Sequence, residues 1–568
     1  MPAQDIIAPA TSAVQPQGRL GSTPRSRHGL ENRGLEAGAM PGFGYGRFGR
    51  MFPFAGNPLP EACLLDIATS MIKQDDGAPI TELEAVDENP AVPAGYTYFG
   101  QFVDHDLSLD PTPLKARGVD AAALEDFRTP ALDLDCIYGR GPDDQPYMYD
   151  ADGLRLRLGQ KLSANGAPVA TQHDLLRLVT PGVDLAPAIL GDKRNDENRL
   201  VAQFQSLFIA FHNKVIDDAD LLTEFAGGVD DPTLRFRTAV NIVRWHYQWL
   251  IFNDFLPRVL EPTIVEEVLN PGGSPRLDHY AKDEARYAYI PVEFAGAAYR
   301  FGHSMVRPSY ALNAEVGTKP EGRIPIFSDD PDPFRNLNGF GVALPETWAF
   351  DWSFFLEVDN SHVKEEFRKQ LPQPSYRMDA QLVSPLSALP EFVAAGEPFR
   401  NLAYRNLVRG VLNLRLPSGE QVARALRIQP LPAGILWDAG SNVLDESKLD
   451  EEDRQNLNDT RARRKVVLDN WINGGGGLLK GSTPLWYYVL REAEYYGSGR
   501  VAEGPTAGFG GQHLGPVGSR IVAETFVGLA WNDPASYLRR WPDFQPSKII
   551  CPSGPFSLAR LTEYVFGA

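Results

Sequence analysis

The feature that most limits the fold is a pair of long segments, LVAQFQSLFIAFHNKVIDDADLL (Leu200 to Leu222) and LRFRTAVNIVRWHYQWLIFNDFL (Leu234 to Leu256). In both, apolar residues recur every three or four positions. That spacing gathers the apolar side chains on one stripe of an α-helix, so both segments are expected to be helices buried along that stripe. Helical patterns separated by Pro-rich connections continue from Leu59 onward, and strand signals are short and few. No unit of roughly 20 to 50 residues repeats, which argues against a solenoid or propeller. The expected fold is mainly α, a large multi-helix body with few short strands. At 568 residues the chain exceeds the ~250 to 300 at which single cores stop growing, so it can enclose a bulky cofactor. Residues 1–40 are rich in Gly, Pro, Ser and Arg without apolar periodicity and are expected to form a flexible arm. Residues 41–568 are expected to form the folded domain.

Charge and cysteine usage remove several classes of function. A net charge of -18 argues against a nucleic-acid partner, since phosphate binding needs clustered Lys and Arg. The first residues, MPAQDIIAPATSAVQPQG, have neither a basic region nor a long apolar run, so no classical signal peptide is expected. No segment approaches the ~18 apolar residues of a membrane span. A cytoplasmic location and leaderless secretion both stay open, as does the oligomeric state. Cys63, Cys136 and Cys551 are odd in number and widely spaced, which fits buried thiols rather than a disulfide framework or a zinc site. The polar stretch Asp445 to Lys465 and the glycines 474–477 read as a solvated helix and a surface turn. Those glycines lack the Lys and Ser/Thr of a phosphate-binding loop. The segment His513 to Trp531 reads as a core-packing helix.

Three segments carry the chemistry. GQFVDHDLSLDP (Gly100 to Pro111) sets His105 between Asp104 and Asp106, in a chain with only nine histidines. EFAGAAYRFGHSMV (Glu293 to Val306) places the small residues Ala295, Gly296, Ala297 and Ala298 before His303, as a thin face against which a flat group could lie. Two such histidines suit opposite faces of a planar metal cofactor, one ligating iron and the other moving protons. In GDKRNDEN (Gly191 to Asn198), Arg194 and Glu197 are three residues apart on one helical turn. Read alone they are a surface charge pair of little worth; beside a distal histidine, the guanidinium could stabilise charge as a peroxide bond splits.

Together these segments resemble the animal-type heme peroxidases of the peroxidase–cyclooxygenase superfamily, particularly bacterial members with few cysteines. The likeness runs from about Arg47 to the C-terminus and extends to the interval between Arg194 and the His212–Asn213 pair. It implies a heme peroxidase fold for residues 41–568, heme b as cofactor, and hydrogen peroxide as oxidant. Small organic donors, halides or thiocyanate would be the reductants. By resemblance, His105 is the distal histidine, Arg194 the catalytic arginine, and Gln101 a glutamine that orders water or halide. His303 is the proximal ligand of the heme iron and Asn406 the acceptor of its imidazole N–H. Arg300 and Arg409 hold the propionates. Asp104 and Glu197 match carboxylates that become ester-linked to heme. Asn198 stands where one mammalian subgroup has a methionine that adds a third link, so that link is excluded.

The resemblance also implies a calcium site in TPALDLD, with Thr129, the Ala131 carbonyl, Asp133, Asp135 and Asp106 as ligands, a donor set suited to a hard cation. Asp135 stands where many members have Ser or Thr, and is expected to tighten binding. Two other readings are a fatty-acid dioxygenase of the same superfamily and a non-enzymatic adhesion or scaffold protein. The dioxygenase would use an oxidising tyrosine three residues before the proximal histidine. That position is Arg300, and Tyr299 is expected to point elsewhere.

Overall fold

Aromatic packing between three helices places the first chemistry-bearing segment. In a computed structural model these are α1 (Gly95–Leu107), α2 (Arg199–Asp217) and α3 (Pro232–Leu250). Phe102 of α1 stacks on Phe208 of α2 with ring centroids 5.0 Å apart, and Tyr247 of α3 meets Phe208 edge-on at 5.5 Å. Such pairs contribute about 0.5–1.5 kcal/mol each beyond their buried area. On α1, Phe99 and Phe102 face this cluster, while Gln101, Asp104, His105 and Ser108 line a cavity. The helical period thus divides one segment into a packing face and a chemical face.

The structure describes residues 46–73, 85–163, 172–280, 288–317, 323–437, 446–503 and 506–567; the arm expected over residues 1–40 lies outside them. Both long periodic segments are helical, with two refinements. The first ends at Asp217, because Asp218 is extended and its side chain caps a separate helix, Ala219–Ala226, by accepting from Leu221 N at 2.9 Å. The second continues past α3 through a π turn, Ile251–Phe255, into Leu256–Val259. Pro257 has no N–H to donate within this stretch, and the wider turn accommodates that loss. A second π turn, Arg409–Asn413, follows α4 (Leu402–Val408) and carries Arg409. Further along, α5 (Leu485–Tyr496) and α6 (Pro516–Asn532) are largely buried, as expected for the C-terminal core helix. The polar stretch near residue 450 forms the helix Glu451–Val467.

Among the described residues, strands make three small sheets. In the three-stranded one, β1 (Gly46–Gly49) pairs antiparallel with β2 (Glu125–Asp126) and parallel with β3 (Ile290–Pro291). β2 leads into the Thr129–Asp135 loop and β3 into the His303 segment, so this sheet ties the two together. Buried Glu293 strengthens the tie by accepting from Met51 N at 3.0 Å. Cys63, Cys136 and Cys551 are free and buried, and fully buried His212 bonds Tyr138 and the Leu154 carbonyl in a packing role.

Candidate functional site

A cavity of about 360 Å³ receives every residue expected at a cofactor: Gln101, Asp104, His105, Arg194, Glu197, Arg300, His303, Asn406 and Arg409 all line it. These residues come from α1, the turn Lys193–Asp196 and the Glu197 that follows it, the segment Ala298–His303, α4 and its π turn. Its size falls in the usual range for ligand sites.

On the α1 side, a chain of amides fixes the tautomer of His105. Gln205 Nε2 donates to the Cys136 carbonyl at 3.1 Å, which turns Gln205 Oε1 toward Asn195 Nδ2 at 2.7 Å. Asn195 Oδ1 therefore faces His105 Nδ1 at 2.7 Å, so Nδ1 carries the proton and Nε2 keeps its lone pair. Burial, helped by the Arg194 charge, lowers His105 to about 4, so the ring is neutral at physiological pH.

Arg194 does not pair with Glu197. Its Nε and Nη2 grip the two oxygens of Asp192 at 3.1 and 2.7 Å, and Nη2 also donates to the His105 carbonyl at 3.2 Å. Among the described residues Nη1 has no partner, leaving a donor for the cavity. Glu197 instead accepts from Gln101 Nε2 at 3.1 Å, while Gln101 Oε1 accepts from Asn198 Nδ2 at 3.0 Å. Burial, with the nearby Glu391 charge, raises Glu197 to about 8. Its Oε2 lies 3.8 Å from His105 Nε2. Asp104 accepts from Ser108 Oγ at 3.2 Å.

The second histidine ends an irregular segment. Helix Val292–Gly296 stops at Ala297, and a 3-10 stretch, Ala298–His303, follows. The flat face expected over Ala295–Ala298 therefore does not form: of these four only Ala295 lines the cavity. Gly296 instead allows close approach of Leu414, whose Cδ1 would lie 2.7 Å from an added Cβ. Burial, then the Arg300 charge, lowers His303 to about 3, so it too is a neutral imidazole. Asn406 bridges His303 and Arg300, with the opposite polarity to that expected. Arg300 can only donate, and its Nη1 takes Asn406 Oδ1 at 2.9 Å; Asn406 Nδ2 then faces His303 Nδ1 at 2.8 Å. Arg409 pairs with Asp110 at 2.5 Å.

Tyr299 does not point elsewhere. It lines the cavity, stacks on Phe294 with centroids 4.7 Å apart, and donates to the Gly100 carbonyl at 3.2 Å. The tighter turn of a 3-10 segment, at odds with the α-helical geometry assumed, puts it there.

The carboxylates of Asp106, Asp133 and Asp135 converge, each offering an oxygen within 4.8 Å of the others. Thr129 Oγ1 donates to Asp133 Oδ1 at 2.8 Å, and Ala131 N to the Thr129 carbonyl at 2.8 Å. Asp106 and Asp133 are 0% and 2% exposed, yet Asp106 Oδ1 and Asp133 Oδ2 have no hydrogen-bond partner. Burial and their mutual repulsion push the carboxyls up, Asp106 to about 7. Such an arrangement is costly without a cation. Asp135 is not simply an added ligand, since Arg128 Nη1 holds its Oδ1 at 3.2 Å.

Sequence reading missed Asn195, Asp192, Arg128 and Glu391. Asn195 and Asp192 lie inside a segment already singled out, but nothing in their spacing marks their partners.

Fold and site thus describe a mainly helical protein with two buried neutral imidazoles and a guanidinium around one cavity. Residues 123–343 match the family described as animal haem peroxidase. The chain is 25% identical to a peroxidase-like protein of Margaritifera margaritifera over 37% of its length and 31% of that protein. It is 26% identical to chorion peroxidase of Drosophila melanogaster over 40% of its length and 27% of that protein. It thus spans less than a third of these relatives. Peroxidase A from Dictyostelium discoideum has a similar fold, with a TM-score of 0.51 at 15% identity over 93% of this chain and 95% of that one.

Proposed function

We propose that this chain is a heme peroxidase, whose folded domain spans residues 41–568, that reduces hydrogen peroxide and oxidises small organic donors, halides or thiocyanate. The observation that carries this reading is the pairing, in one cavity, of a base-ready His105 beside Arg194 with a second neutral histidine, His303. The residues fit a heme. His303 Nε2 has no hydrogen-bond partner among the described residues, and it could ligate iron once the ring proton moves to Nδ1, which requires Asn406 to turn its Oδ1 toward the ring. Arg300 and Arg409 line the same cavity, and they are the cations that would meet the propionates. Asn406 can accept the imidazole N–H only after Arg300 releases its Oδ1, and a propionate is the kind of anion that would draw Arg300 away. Asp104 and Glu197 are the candidates for ester links to the heme.

Heme, when bound, supplies the electrons that split the peroxide and later draws them from donors. The protein's part is proton transfer and charge stabilisation. Neutral His105 takes a proton from peroxide at Nε2 and returns it to the departing oxygen. The Nη1 end of Arg194 stabilises the negative charge that develops between those transfers. Gln101, held by Glu197 and Asn198, presents a fixed polar wall to water or halide. Calcium is the cation that suits the Asp106, Asp133, Asp135 and Thr129 oxygens, with the Ala131 carbonyl completing the set. It would brace His105 through the adjacent Asp106.

The test is reconstitution with heme followed by peroxide mixing. A Soret band and peroxide-dependent oxidation of guaiacol or iodide are expected, and His105→Ala should keep the heme but lose ~10²- to 10⁴-fold in the peroxide step. Unchanged rates in that variant would remove His105 from its role, and no Soret band would favour the scaffold reading. Tyr299 in the cavity supports one second reading, a fatty-acid dioxygenase. Lipid oxygenation that exceeds guaiacol oxidation and vanishes in Tyr299→Phe would favour it.

A further inference from the structure

The acidic cluster and the cavity are joined by a continuous line of charges. Arg128 Nη1 donates to Asp135 Oδ1 at 3.2 Å and to the Gly191 carbonyl at 3.3 Å. Its Nε donates to the Phe127 carbonyl at 2.8 Å and lies 3.5 Å from Asp192 Oδ2. The same Asp192 carboxylate holds Arg194 side-on through Nε and Nη2, and Arg194 also bonds the His105 carbonyl. Asp192 is 2% exposed, so its charge is answered by these two guanidiniums and not by water. Arg128 therefore stands between two carboxylates, one belonging to the cluster and one to the cavity's arginine.

We propose that Arg128 is a positioning residue that couples cation occupancy of the Asp106–Asp133–Asp135 cluster to the charge Arg194 presents in the cavity. The coupling rests on the cation reading of the cluster, which the unpartnered, buried Asp106 Oδ1 and Asp133 Oδ2 support independently. The physical argument is competition. A divalent cation and Arg128 share Asp135, so each weakens the other's hold. Displaced from Asp135, Arg128 leans on Asp192 and takes up more of its negative charge, leaving Arg194 less neutralised and a better stabiliser of a developing anion. Without Arg128 the whole Asp192 charge falls on Arg194. Linkage makes the effect reciprocal: whatever strengthens the Arg128–Asp192 contact also favours the cation.

Arg128→Met separates this role from a merely structural one, because its two expected effects differ in sign. Calorimetric titration of chelator-treated, heme-loaded protein with calcium should show roughly ten-fold tighter binding in the variant, one repelling charge having been removed. Stopped-flow mixing with peroxide should show a first step slowed by roughly three-fold or more, in line with weaker electrostatic stabilisation. The dependence of that step on calcium, present in the wild type, should vanish. Arg128→Lys keeps the charge but not the two-sided fork, and should fall between; it carries the test if the methionine variant does not fold. Calcium binding that is unchanged or weaker in the variants, or a peroxide step that keeps its wild-type calcium response, overturns the proposal. Absence of calcium binding in the wild type refutes both the cation reading and the coupling. The peroxidase reading is judged separately, by the wild-type peroxide reaction itself.

Discussion

Replacing Asn195 with Leu should cripple the proton transfer proposed for His105 while leaving the cavity in place. Asn195 is fully buried, and its Oδ1 is the acceptor that keeps the proton on His105 Nδ1. Leu has the same branching and number of heavy atoms but no acceptor, so the buried imidazole N–H is left unpaired at a cost of about 1–3 kcal/mol. Flipping the proton to Nε2 avoids that cost, but an Nε2–H imidazole cannot take a proton from peroxide. The competent tautomer should fall by roughly 5- to 150-fold, and the peroxide step with it. Asn195→Asp makes the converse test. A carboxylate in place of the amide oxygen favours imidazolium and should raise His105 from about 4 by ~1 to 3 units. Neutral His105 is the active form, so the rate is lost as pH falls through the raised value. The aspartate variant should match the wild type near pH 8 and lag roughly ten-fold near pH 5. Stopped-flow absorbance with peroxide from pH 4 to 8, at equal heme content, reads both effects. If Asn195→Leu reacts at the wild-type rate, or if Asn195→Asp slows the reaction equally at every pH, the amide chain does not set the tautomer.

Three further outcomes are expected. If Asp104 and Glu197 are ester-linked to heme, acidic organic solvent should extract heme from variants lacking both carboxylates but not from the wild type; extractable wild-type heme refutes the links. Glu492 is fully buried, raised by burial to about 8, and its Oε2 accepts from Val517 N and Gly518 N at the start of α6. A folded value above the unfolded one means stability is lost as pH rises toward 8, so Glu492→Gln should melt near the wild type at pH 5 and increasingly above it by pH 9. The gap should reach the order of several kcal/mol in calorimetry, and a gap that shrinks with pH would refute the assignment. A thiol reagent should titrate none of the three cysteines in the native protein and all three after denaturation; rapid reaction of native Cys63, Cys136 or Cys551 would contradict their burial.

Much of the molecule was legible in the chain itself. Helical periodicity located α2 and α3 because burial of one stripe is a local property of spacing, and it survives whatever the helix packs against. The residues brought to the cavity were legible through their segments, since Gln101, Asp104 and His105 share a helical face by spacing alone. Partners were not legible. Arg194 and Glu197 sit three residues apart, yet they bond Asp192 and Gln101 instead, because a 3-10 turn and neighbouring α1 offer better acceptors and donors than they offer each other. Tyr299 enters the cavity because the backbone tightens after Ala297, a change that composition does not announce.

What the sequence by itself determined is the mainly helical architecture, the buried thiols and the short list of residues that the fold gathers around one cavity. What only the tertiary structure decided is how those residues are wired. His105 owes its tautomer to a backbone carbonyl at Cys136, relayed through Gln205 and Asn195. Asp135 answers to Arg128 as well as to the cluster it belongs to. The reason is physical: periodicity and composition report how each residue meets solvent, whereas hydrogen-bond polarity and charge sharing depend on atoms that only folding brings within about 3 Å.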